Sequence, residues 1–143
     1  EGQILAHDIK DGLPSELPKP DFVFLDPPYW IQAKGKYSQD IEDLANMPLI
    51  DFYEMMNLLL NDLIKKKVPQ IAIVIQPTQY ANGMVLEDHI FKFHEMLMKK
   101  HVIEMRYILP YSTEQYNAQM VNKAKETNAC LCLNRDLVVW RLI

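Results

Sequence analysis

Glycine is scarce in this chain of 143 residues: Gly2, Gly12, Gly35 and Gly83 are scattered and form no glycine-rich loop. Cysteine is scarcer still. Cys130 and Cys132 alone make no framework of spaced pairs, which points to a reducing, intracellular setting. At alternate positions of a strand they would share one face, and core packing is the expected role. Positive charge is in deficit. The formal net charge of −4 supplies no global field toward nucleic acid or an anionic membrane, so any nucleic-acid contact must be local. No apolar run approaches the roughly 18 residues of a membrane span, and no signal peptide opens the chain. There is no internal repeat and no low-complexity tract. The first residue is Glu1, which raises the expectation of a piece of something longer. Hydrophobic residues make up 49%, enough for a substantial core, and the length suits one domain.

Strand and helix patterns alternate. Short apolar runs predict strands over 3–9, 21–25, 70–77, 102–111 and 137–143. Helices are predicted over 48–67, 87–100 and 113–127. The first has an apolar stripe of Phe52, Met55, Met56, Leu59, Leu60 and Leu63. Acidic residues open the first two helices and lysines close them, which complements the helix dipole. The expected architecture is an α/β sandwich with a mostly parallel sheet and a terminal antiparallel strand. Ligands in such sheets bind beyond the carboxyl ends of the strands, which highlights Asp8, Asp26, Gln76 and Pro77. The long segment 27–47 has no regular pattern, and loops of that length in a compact domain are usually functional. The four histidines lack a ligand spacing, and the methionines follow core spacing.

The run "DFVFLDPPYW", residues 21–30, carries the chemistry. Proline fixes φ and has no N–H, so two in succession make a stiff turn. The Pro27 carbonyl is left without an easy partner beside the Asp26 carboxylate. Two fixed acceptors and the flat ring of Tyr29 form a receptor for a planar group that bears an NH₂. Stacking on such a ring is worth roughly 1–3 kcal/mol per base.

"DPPY" at the end of a strand in an α/β domain resembles the S-adenosylmethionine-dependent DNA amino-methyltransferases, which act on adenine N6 or cytosine N4. The resemblance implies that Asp26 and Pro27 accept the hydrogens of a flipped base's exocyclic amine. It also implies that Pro28 shapes the turn and Tyr29 stacks the base. Adenine is the preferred base for this version of the motif, and no metal is implied. "ILAHDIKDGLP" is similar to the preceding strand, which assigns Asp8, together with Asp26, to the cofactor side. "YWIQAKGKYSQD" is similar to the loop that closes on substrate, with Trp30, Lys34 and Tyr37 as substrate contacts. The closing "LNRDLVVWRL" is similar to the family's last strand.

The sequence departs from the family in two respects. The glycine-rich motif after the first strand is absent, and so is the ribose-binding acid after the second. Residues 1–143 are therefore expected to be a Rossmann-like catalytic domain from the third strand onward, lacking the first two strands and inactive alone. Strand 21–25 should then lie beside a gap. An exposed apolar edge invites pairing, so a homodimer or strand-swapped association is expected. DNA is the partner that the resemblance implies, in a prokaryotic or phage cytoplasm and a restriction-modification setting. RNA is the alternative substrate, and a non-catalytic remnant or assembly module the alternative of another class.

Overall fold

The computed structural model describes residues 4–111 and 116–143. Its elements are β1 (Phe22–Leu25), α1 (Leu49–Lys65), β2 (Gln70–Ile75), α2 (His89–Leu97), β3 (His101–Pro110), α3 (Ala118–Thr127) and β4 (Asn134–Leu142). The four strands form one sheet in the order β1-β2-β4-β3. The stripes of α1 and α2 bury Phe52, Met56, Leu60, Leu63, Phe93 and Leu97 against Ile71, Ile73, Ile75, Val138 and Trp140 of the sheet. Asp88 caps α2 by accepting the Ile90 N–H, and Asn117 caps α3 by accepting that of Met120. Only Ala124 of α3 is buried, so this helix stands outside the core. Among the described residues no helix is long and apolar enough to cross a membrane.

Three expectations need correction. Residues 4–8 form no strand; Asp8 instead caps a single 3-10 turn, Ile9–Asp11, by accepting the Lys10 N–H. Residue 3 of that predicted strand, and residues 113–115 of the third predicted helix, lie outside the described residues. The sheet is less parallel than expected. β1, β2 and β3 share a direction, but β4 enters antiparallel between β2 and β3, so only the β1–β2 pairing is parallel. Cys130 and Cys132 lie before β4 in a loop, one exposed and the other half-buried. Their backbone is held there by the Gln79 amide, which donates to the Cys130 carbonyl (2.6 Å) and accepts the Cys132 N–H (3.0 Å).

β1 is an edge strand, as expected. Register shows a second feature. Phe24, Ala72, Val139 and Met105 form a row across the four strands, on the face away from α1 and α2. Phe22 and Phe24 are 51% and 55% exposed there, and Met105 and Tyr107 are also exposed. Antiparallel pairing of two β1 strands centred on Val23 would set Phe22 of each copy opposite Phe24 of the other. Aromatic cross-strand pairs of this kind are favourable. Sedimentation velocity is expected to show self-association that the double substitution Phe22→Lys, Phe24→Lys abolishes. A native chain that sediments as a monomer at every concentration would overturn this expectation.

Candidate active site

β1 ends at Leu25, and Asp26–Tyr29 run on directly from its carboxyl end without regular structure, the turn that the two prolines predict beginning only at Trp30. Asp26 is exposed and Pro27 buried. Among the described residues no hydrogen-bond donor reaches the Pro27 carbonyl, so carboxylate and carbonyl both stay available as acceptors. The chain then turns sharply. Ile31 has φ +55°, a left-handed conformation that is costly for a β-branched residue. It is held by its N–H to the Ala45 carbonyl at 3.0 Å, while the Ala33 N–H returns to the Tyr29 carbonyl at 3.0 Å. Strain of this kind is often concentrated where a loop shapes a ligand site.

Two cavities border this segment. The first, of about 500 Å³, is walled by Tyr29, Tyr37, Gln32, Gln76, Tyr80 and Tyr116, with Lys36 also on its lining. The second, of about 470 Å³, is lined by Pro28, Asp8, His7, Met47 and Met55 among others. Successive residues of the motif thus face different spaces, Pro28 the second and Tyr29 the first. Asp26 lines neither wall.

The remaining predicted site residues are distributed unevenly. Tyr37 is 70% exposed at the first cavity. Lys34 is exposed on the same loop but outside that lining. Trp30 is in the hydrophobic core, where its Nε1 donates to the Met47 carbonyl at 2.9 Å and anchors the loop. Asp8 is exposed, and the Lys10 N–H it accepts, aided by the Lys10 ammonium, holds its carboxyl below the ordinary range.

Several participants were not singled out from the sequence. Arg135, in β4, donates to the Tyr29 hydroxyl at 3.4 Å across 106 positions of chain. Its pKa is raised, chiefly by that bond and also by the nearby Asp26 charge. Tyr111 packs in the same neighbourhood, with its hydroxyl buried and no partner among the described residues. Burial raises its pKa above the ordinary phenol value, and burial also raises that of Tyr116. Gln76, by contrast, was highlighted by its place just beyond the carboxyl end of β2, and it lines the first cavity. Arg135, Gln79 and Tyr116 gave no such signal, because only the fold brings their segments to the turn.

No family model matches the sequence, and no curated protein matches it. The fold is similar to a solved structure from Thermus thermophilus described as a presumptive DNA modification methylase. The TM-score is 0.55 and the identity 15%, over 87% of this chain and 46% of that one. At that identity the likeness is one of fold. The chain spans about half the length of the solved structure it matches.

Proposed function

We propose that this chain is part of a DNA methyltransferase catalytic domain that places the exocyclic amine of a flipped base, adenine N6 by preference, beside S-adenosylmethionine. The observation that carries the reading is the Asp26–Tyr29 segment at the carboxyl end of a strand, in which Pro28 and Tyr29 face two different cavities directly after Asp26 and Pro27. The likeness of fold to a structure described as a DNA modification methylase supports it.

In this reading Asp26 and the Pro27 carbonyl accept the two hydrogens of the amine. Pairing them with strong acceptors draws the nitrogen lone pair out of conjugation with the ring, and in this reading the carboxylate takes up the proton released. Tyr29 stacks the base, held in place by Arg135, and Tyr37 and Lys36 border the entrance. Lys34, outward on the same loop, suits a phosphate contact. Trp30 acts by anchoring the loop. S-adenosylmethionine, when bound, supplies the electrophilic methyl group. Asp8 and Pro28 fit its nucleoside end, since an exposed carboxylate accepts an adenine amine well. Among the described residues no glycine-rich turn adjoins that cavity, so these residues form only one wall.

The open edge and apolar sheet face favour a second reading, a methyltransferase fold kept as an assembly module. The two readings differ in a calorimetric titration of S-adenosylmethionine, followed by a methyl-transfer assay on duplex DNA and on structured RNA. Binding with transfer to duplex DNA is the expected result for a preparation in which both walls are present. Transfer to RNA alone would move the substrate to the alternative class. Neither binding nor transfer in such a preparation would leave the module reading.

A further inference from the structure

Beneath the Tyr29 cavity lies a chain of buried polar groups that the proposed chemistry does not use. His89 has no exposed surface and packs among Trp30, Phe52 and Phe93. Its Nδ1 is 2.9 Å from the Tyr53 hydroxyl and its Nε2 3.0 Å from the Thr78 hydroxyl. Tyr53 reaches Glu87 at 2.5 Å, and Thr78 receives Gln32 Nε2 at 3.1 Å. Gln32 Oε1 in turn receives Gln76 Nε2 at 2.5 Å. The backbones of Glu87 and Thr78 are paired in both directions, at 2.7 and 3.0 Å, so the two ends of the buried segment are tied together.

The direction of every proton in this chain follows from groups that can only accept. Glu87 accepts from Tyr53, which uses the single phenolic proton. Tyr53 must then accept from His89, so Nδ1 carries the imidazole proton. Burial lowers the His89 pKa to about 4, against the opposing pull of Glu87, so the ring is neutral at neutral pH and Nε2 is bare. Nε2 therefore accepts from Thr78, and Thr78 accepts from Gln32. The other end agrees independently. Gln32 Nε2 also donates to the Pro77 carbonyl at 3.0 Å, an acceptor that fixes the same amide orientation. Gln32 thus turns its oxygen to Gln76. Gln76 keeps its own Oε1 and one N–H, without a hydrogen-bond partner among the described residues, at the cavity wall.

We infer that His89 is a positioning residue: its tautomer sets how the Thr78 hydroxyl is shared, and Thr78 together with the Pro77 carbonyl holds the polarity of the Gln32–Gln76 amide pair that walls the Tyr29 cavity. The inference rests on reading that cavity as the base site. Its consequence is that the ligand meets one arrangement of acceptor and donor on Gln76, set through Gln32 by groups behind the cavity wall. Tyr53 and Glu87 belong to the same device. Thr78 also has a second outlet for its proton, the Trp30 carbonyl at 3.3 Å. If His89 changed tautomer, Thr78 would turn its proton there and accept from both His89 and Gln32, which weakens its bond to the Gln32 amide without reversing the amide.

The test is nitrogen NMR on the labelled chain, reading the His89 ring and the side-chain amides of Gln32 and Gln76, with adenosine as the probe ligand. The native protein is expected to hold the Nδ1–H tautomer. Tyr53→Phe should convert it to Nε2–H, shift both glutamine amide signals and weaken adenosine binding about fivefold, the scale of one lost hydrogen bond. Glu87→Gln retains an acceptor oxygen for Tyr53 and should keep the native tautomer and amide signals. That contrast separates positioning from a general loss of packing. A native Nε2–H tautomer would overturn the inference. So would a tautomer change that leaves both amide signals unmoved. Because the amides are read without ligand, failure of adenosine to perturb any cavity signal would count against the proposed function, while the relay is judged on the amides alone.

Discussion

Asp26→Ala is expected to lower methyl transfer by roughly 10²–10⁴-fold, the range for losing a positioned acid or base, in any preparation that methylates DNA. The loss should fall on turnover, with S-adenosylmethionine affinity nearly unchanged, because the carboxylate is assigned to the amine and Asp8 to the cofactor's nucleoside end. Stability should scarcely move. Asp26 is exposed, and substitutions at such positions are usually within about 0.5 kcal/mol. Asp26→Asn should retain part of the activity, since its amide oxygen still accepts one amine hydrogen but takes up no proton. Single-turnover kinetics beside calorimetric titration of the cofactor would separate the two effects. An Asp26→Ala protein that transfers methyl groups at the native rate would remove Asp26 from the chemistry and leave the segment a structural element.

The largest effect on folding is expected at Trp140. Its side chain is wholly buried in β4, with Ile71 of β2 on one side of the register and Ile103 of β3 on the other. Its Nε1 points to His94 Nδ1 at 3.3 Å, which links the sheet to α2. Trp140→Ala removes the largest fully buried side chain at the point where both helices meet the sheet. Truncations of this kind cost about 3–5 kcal/mol, a large share of the roughly 5–15 kcal/mol typical of a domain. The open sheet face leaves less apolar burial to absorb the loss. Urea unfolding should show a much lower midpoint for Trp140→Ala, with Trp140→Phe between it and the native chain. An unchanged midpoint would mean that β4 contributes little to the cooperative unit.

The local elements were legible because periodicity is a local property. The stripe of Phe52, Met56, Leu60 and Leu63 repeats at helical spacing whatever surrounds it, and the unbroken run 71–75 suits a strand enclosed by neighbours. The same reasoning failed at 4–9. An apolar run there looks like a strand, but a strand also needs a partner, and Asp8 offers the backbone a capped turn instead. It failed again at Cys130 and Cys132. Alternation suggested a shared strand face, whereas Gln79, more than fifty positions away, holds that backbone in a loop.

The candidate site divides along the same line. The sequence by itself determined a stiff, donor-poor exit from β1 at Asp26–Tyr29, because two prolines restrict φ and remove donors wherever they stand. It also placed a carboxylate, a donor-free proline pair and an aromatic ring on consecutive residues. Only the tertiary structure decided what faces that segment. The antiparallel insertion of β4 brings Arg135 to Tyr29, and the return of the chain through β2 brings Gln76 to Gln32. The relay through Tyr53, His89 and Thr78 exists only once α1, α2 and the loop after β2 have packed. Contacts of this kind depend on which surfaces exclude water together. That is a property of the assembled core and not of any one stretch of chain.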